Sequence, residues 1–279
     1  MNEGRVKNSI RSSYHRIVKH GISGVSASSR VLPDFIISGT VRSGTTSLYY
    51  NICKHPSILP AAQDEIGFFD VNFHLGLKWY RSMFPTTKQM NEVKAKTNFS
   101  ITGEDTPFYF WREDAVKRIF NLLPNCKIII ILRHPVDRAY SNYQLGKRTG
   151  WEKLTFEQAI DAEKKQLEKG LDSSKFGNFR SYLAKSIYSY QIKSWLETFP
   201  RNQLQVLSTE ELAKNVTGTM SNIFQFLGLP DYEITNSEKK KVGNYSRMKS
   251  NTRRDLLKFF KIYNEELFSL INKRFCWDE

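Results

Sequence analysis

Cysteine is scarce in this chain, and Cys53, Cys126 and Cys276 are odd in number and far apart. That excludes a disulfide framework, and no CxxC pair or His/Cys cluster suggests zinc. The five histidines show no metal-ligand spacing either. Such thiol usage predicts a reducing compartment, and we expect a cytoplasmic protein. No run of about 18 apolar residues exists, so no membrane span is expected. There is no internal repeat and no low-complexity linker, and collagen and coiled-coil compositions are excluded. Acidic residues are short as well: 28 Asp and Glu stand against 42 Lys and Arg, a net charge of +14. A surplus of this size predicts an anionic partner, whether nucleic acid, membrane surface, phosphorylated cofactor or acidic polymer.

What is present suits a packed core. Apolar residues make up 40% of the 279 and aromatics 13%, enough to exclude a disordered chain. The length admits one large domain or two small ones. Residues 1–30 are basic and Ser-rich without the apolar centre of a signal peptide. Ile10, Tyr14, Ile17 and Val18 fit one helix face, which allows weak membrane-surface contact. We expect a partly ordered arm over 1–30 and one domain over 31–279.

From Val31 onward short apolar runs alternate with helix-period segments. Strands are expected at Phe35–Gly39, Ser100–Gly103, Lys127–Leu132 and Leu204–Leu207. Helices are expected at Thr45–Lys54, Glu113–Leu123, from Pro135, and at Phe156–Leu167, Ser181–Phe199, Met220–Leu227 and Thr252–Ile271. Residues 236–254 read as a loop. The β-branched run of Lys127–Leu132 implies burial on both faces, as in a parallel sheet. The alternation predicts an α/β fold with a central parallel sheet, flanked by helices in three layers.

The most informative segment is Gly39-Thr40-Val41-Arg42-Ser43-Gly44-Thr45-Thr46, between a strand and a helix. Backbone N–H groups at a helix start bind anions, and the glycines let the main chain approach a phosphate. The spacing is that of a P-loop, but Thr45 holds the lysine position and the cation is Arg42. Strand Lys127–Leu132 also ends in Arg133 rather than a magnesium-binding Asp. Both departures weigh against a P-loop kinase, the alternative reading. In Arg133-His134-Pro135-Val136-Asp137-Arg138-Ala139-Tyr140-Ser141-Asn142, a helix from Pro135 puts Arg138, Ser141 and Asn142 on one face. Arg133 stands at a strand's carboxyl end, where open α/β sheets bind ligands. Arginine and serine together make a second phosphate site, so the pair of motifs suggests a bisphosphorylated nucleotide.

These two motifs resemble those of the sulfotransferase superfamily. Arg42-Ser43-Gly44-Thr45-Thr46 is similar to its 5′-phosphosulfate loop, and Leu132-Arg133-His134-Pro135 through Arg138 and Ser141 to its 3′-phosphate motif. Asp64-Glu65-Ile66-Gly67-Phe68-Phe69-Asp70 and Gly103-Glu104-Asp105-Thr106-Pro107 are similar to segments of heparan-sulfate-type carbohydrate sulfotransferases and their microbial relatives. The resemblance runs from Leu32 to Trp277. It implies a P-loop-like fold, the donor 3′-phosphoadenosine 5′-phosphosulfate, no metal, and a hydroxyl-bearing acceptor, carbohydrate by family weight. It also implies donor contacts from Arg42, Ser43, Gly44, Thr45, Thr46, Ser47, Arg133 and Ser141. A loop closing over the cofactor would add Tyr245, Arg247 and Lys249. Two positions depart from the heparan type, Gly67 standing for a common His and Asp105 for a common Lys. Arg42 replaces the more usual Lys.

On this reading Arg42 meets charge on the leaving oxygen, and Glu65 is the general base, its pKa raised by Ile66, Phe68 and Phe69. Asp70 and Glu104 contact the acceptor. The blander readings have Asp70 capping a helix, Glu104 and Asp105 neutralising neighbouring arginines, and His134 as a turn residue. Lys239-Lys240-Lys241 reads as a solvated run and the sequons at Asn98, Asn215 and Asn244 as chance. A nucleic-acid binder is the third reading; with no such motif and with scattered charge, no nucleic-acid partner is expected.

Overall fold

The computed structural model describes residues 27–170, 181–234 and 245–278. Most of the expected arm, the lysine run 239–241 and the Asn244 sequon lie outside them. Five strands alternate with helices: β1 Phe35–Gly39, α1 Thr45–Ile52, β2 Ile58–Pro60, α2 Gly76–Ser82, α3 Thr87–Thr97, β3 Ile101–Asp105 and α4 Glu113–Leu122. Then follow β4 Lys127–Leu132, α5 Pro135–Thr149, α6 Phe156–Leu167, α7 Tyr188–Thr198, β5 Leu204–Ser208, α8 Thr209–Lys214, α9 Val216–Leu227 and α10 Ser250–Ile271. The sheet is wholly parallel in the order β2-β3-β1-β4-β5.

Alternation along the strands divides the core. Ile36, Ile128, Ile130 and Leu132 point to one face, where α4, α7 and α10 pack with Trp195 and Phe268. Phe35, Ile37, Ile129 and Ile131 point to the other, against Leu48 and Ile52 of α1 and Ile223 and Phe224 of α9. Ile128–Ile131 are all fully buried, as a strand covered on both faces requires. This is the expected three-layer α/β fold.

One expected element breaks. In place of a helix over Ser181–Phe199 there is a 3-10 turn, Ala184–Ser186, and then α7. The buried Glu163 carboxylate of α6 accepts the backbone N–H groups of Tyr182, Leu183 and Ala184 at 2.7, 2.8 and 2.9 Å. Those contacts hold the segment out of helical register. Helices α3 and α8 were not anticipated, although each opens on a capping box, Thr86 with Gln89 and Ser208 with Glu211. Strand β2, three residues on the sheet edge, was also missed. Helix α10 begins at Ser250, so the expected loop ends earlier than Arg254.

Candidate active site

The parallel sheet brings the carboxyl ends of β1, β3 and β4 side by side, and β1 runs into the loop before α1. Gly39 (φ +146°) leaves β1 where any Cβ would collide with the Ile131 backbone of β4. Its first role is therefore close strand packing. Gly44 caps α1 in the left-handed region (φ +85°), with open space around it. The first-turn N–H groups of α1 have no intrahelical acceptor and are the loop's anion donors. Thr40 and Ser43 hydroxyls bond each other inside the loop. Thr209 ties the loop to its neighbour, donating to Ser43 O at 2.7 Å and to Leu132 O at 2.9 Å.

The two expected phosphate motifs meet. Arg42 Nε donates to Ser141 Oγ at 3.0 Å, and Arg133 Nη1 donates to the Arg42 carbonyl at 3.1 Å. Tyr188 OH donates to the Arg133 carbonyl at 2.8 Å, which fixes the start of the second motif. His134 is the N-cap of α5, its Nδ1 accepting from Val136 N. Burial lowers the Arg42 pKa from its usual value, and Arg133 and Arg148 add to that. Several cations gathered at a helix start are the electrostatics of an anion site.

Beside Arg133 lies a cavity of about 500 Å³ whose lining includes Tyr140, Tyr245, Arg247 and Arg254. Tyr140 and Tyr245 meet edge to face, with ring centroids 5.7 Å apart. Lys249 does not join them: its ammonium pairs with Glu157 of α6 at 3.6 Å and is largely solvated. Arg138, expected on the Ser141 face, turns inward. It is fully buried and donates to Ser186 Oγ at 2.7 Å and Tyr182 O at 2.6 Å.

At the end of β3 the expectations divide. Glu65 lies beside it, its backbone N–H on the Asp105 carbonyl at 2.9 Å. Its side chain is exposed, whereas Ile66, Phe68 and Phe69 are buried against Tyr80 and Tyr109. The apolar setting expected for it is thus turned into the core. Asp70 is half-buried and accepts from Val71 N, in a turn rather than at a helix cap. Burial raises its pKa above the usual carboxylate value.

Glu104 cannot reach an acceptor. It is fully buried and accepts the hydroxyls of Tyr80 and Thr106, both at 2.6 Å, and of Tyr109 at 3.3 Å. Burial, partly offset by those hydroxyls, pushes its pKa up to about 7. Nor does Asp105 neutralise an arginine. It is 1% exposed, and neither carboxylate oxygen has a hydrogen-bond partner. Burial, with Asp64, Glu104 and Glu65 nearby, pushes it up to about 8.

Backbone strain marks the same two residues that the motifs singled out. Among the described residues four non-glycines have left-handed backbone: Arg42 (φ +79°), Glu65 (φ +50°), Asn98 and Asn272. The two asparagines end helices, where that conformation is ordinary. Arg42 and Glu65 have no such excuse, and strain of this kind gathers at functional sites.

Comparison with known proteins agrees with this geometry. Residues 32–269 match the family model described as a sulfotransferase domain. Membrane-associated sulfotransferase kil1 of Dictyostelium discoideum is 26% identical, covering 88% of this chain and 66% of that protein. Human bifunctional heparan sulfate N-deacetylase/N-sulfotransferase 3 is 31% identical over 87% of this chain, which spans only 30% of that protein. A sulfotransferase structure from Alicyclobacillus acidocaldarius superposes with a TM-score of 0.69 at 25% identity, over 89% of this chain and 100% of that one. With the family model matched over most of its length, the chain belongs to the sulfotransferases.

Proposed function

We propose that the chain moves a sulfuryl group from 3′-phosphoadenosine 5′-phosphosulfate to an acceptor hydroxyl on a carbohydrate, by in-line displacement. The observation that carries this reading is the Arg42–Ser141 hydrogen bond of 3.0 Å, with Arg133 on the Arg42 carbonyl. It makes one continuous site of two anion-binding motifs, as a nucleotide phosphorylated at both the 3′ and 5′ positions of its ribose requires. The residues fit that donor. Ser43, Gly44, Thr45, Thr46 and Ser47 line the loop and first helical turn for the 5′ end. Arg133 and Ser141 hold the 3′-phosphate. Tyr140, Tyr245 and Arg247 border a cavity wide enough for a purine.

In the transfer, the acceptor oxygen bonds to sulfur as sulfur's bond to the bridging oxygen breaks. Glu65 takes the hydroxyl proton, and adenosine 3′,5′-bisphosphate leaves with the electron pair. Arg42 and the amides at the α1 start stabilise the charge that develops on the leaving oxygen. Since the protein leaves Glu65 open to solvent, the bound acceptor supplies its cover. A relative's name supports a carbohydrate acceptor, since that of the human protein concerns heparan sulfate.

Thermal melting tests the donor reading. Adenosine 3′,5′-bisphosphate at a hundredfold excess over its Kd should stabilise the fold by about 2.7 kcal/mol. ATP at the same concentration lacks the 3′-phosphate and should do far less. Equal shifts would overturn the two-site reading.

A further inference from the structure

The cavity beside Arg133 is unbalanced in charge. Its lining holds four arginines, Arg133, Arg247, Arg253 and Arg254, against one carboxylate, Asp137. That carboxylate is already engaged, since Arg253 Nη1 donates to Asp137 Oδ1 at 2.6 Å. Arg133 uses Nη1 on the Arg42 carbonyl. Among the described residues Arg247 and Arg254 make no hydrogen bond or ion pair. A guanidinium donates hydrogen bonds, accepts none and stays charged. A cavity of about 500 Å³ lined by uncompensated guanidiniums selects a multiply charged anion over a neutral group.

Helix α10 brings Arg254 to that cavity on a braced turn. Ser250, Arg253, Arg254 and Leu257 all border it, at the spacing of one helix face. Arg253 ties the start of α10 to α5 through Asp137. Thr252 Oγ1 donates to Glu157 of α6 at 2.9 Å, and Lys249 pairs with the same carboxylate. Leu256 and Phe260, fully buried, pack in one cluster with Val136 and Ala139 of α5. Arg254 itself is exposed, so its guanidinium is open to a ligand. Lys249, the cation that the sequence placed over the donor, is engaged elsewhere and does not line the cavity, whereas Arg254 does.

We infer that Arg254 is a second guanidinium on the donor's 3′-phosphate, sharing it with Arg133, and thereby sets the preference for 3′-phosphorylated adenosine. The inference rests on the proposed donor. Planar guanidinium forks match phosphate oxygens in pairs, so one phosphate accepts from two arginines at once. The test is calorimetric titration of the full chain with adenosine 3′,5′-bisphosphate, adenosine 3′-monophosphate and adenosine 5′-monophosphate. Arg254→Gln should weaken both 3′-phosphorylated nucleotides about tenfold or more, the scale of a charge-assisted hydrogen bond. It should leave the 5′-monophosphate within about twofold. Arg254→Lys, which keeps the charge and loses the fork, should recover part of the loss. Thermal melts verify that both variants fold. A loss spread equally over the three nucleotides would place Arg254 on the adenosine half, and no loss would remove it from the site. Either result overturns the inference while the donor reading stands. A parent chain that binds the 5′-monophosphate as tightly as the bisphosphate overturns the donor reading, and this inference with it.

Discussion

Arg42 and Glu65 share left-handed backbone, and the proposed mechanism gives them different work that substitutions should separate. Glu65→Gln keeps shape and hydrogen bonding and loses only the capacity to take a proton. Sulfuryl transfer should fall about 10²–10⁴-fold, the usual contribution of a general base, with bisphosphate affinity unchanged in calorimetry. Arg42→Ala should lose both affinity and rate, because Arg42 joins the two halves of the proposed donor site through Ser141. A Glu65→Gln protein with full activity would move the base to Asp70, which is half-buried beside it in the chain. Asp105 makes a different prediction. Its folded-state pKa of about 8 lies above the ordinary value, so it favours folding at low pH. That contribution is lost as pH rises from about 4 through about 8. Asp105→Asn should therefore melt higher than the parent at pH 9, by on the order of a few kcal/mol, with the gap closing below about pH 4. A gap independent of pH would show that burial, with Asp64, Glu104 and Glu65 nearby, does not raise Asp105 as the geometry implies.

At the scale of elements, periodicity read best the segments whose own local pattern sets their bounds. Lys127–Leu132 and Phe156–Leu167 form with the expected bounds. Ser181–Phe199 fails because a carboxylate nineteen residues upstream of Tyr182 captures three of its amides, a contact that no local pattern announces. Glu163→Ala should accordingly cost roughly 3 kcal/mol or more in urea melts, as three buried N–H groups lose their acceptor. Hydrogen exchange should show the Tyr182, Leu183 and Ala184 amides losing protection first. Unchanged protection there would mean that α7 packing alone holds the turn. The missed α3 and α8 were legible, since both begin with Ser or Thr followed three residues later by Gln or Glu.

At the scale of the molecule, net charge and strand order act together. Of the cations behind the net charge of +14, Arg42 inside the loop and Arg133 after β4 meet at the sheet's carboxyl edge. The proposed transfer assigns these cations the work a divalent ion does in P-loop phosphoryl transfer, where the transferred group carries more charge. Turnover should therefore persist in excess EDTA, measured with labelled donor, and loss of activity restored by Mg²⁺ would contradict that charge balance. The sequence by itself determined the fold class, the β1 loop and the Arg133–Ser141 motif, because strand burial, glycine placement and helix starts are local physics. Tertiary structure alone decided that the motifs touch, that Glu104 is sealed under three hydroxyls and Asp105 under none, that Lys249 turns to Glu157, and that Arg138 turns inward. Each of these depends on which strands lie side by side and which face of a helix meets them, and side-chain partners far apart in the chain leave no mark on the local pattern.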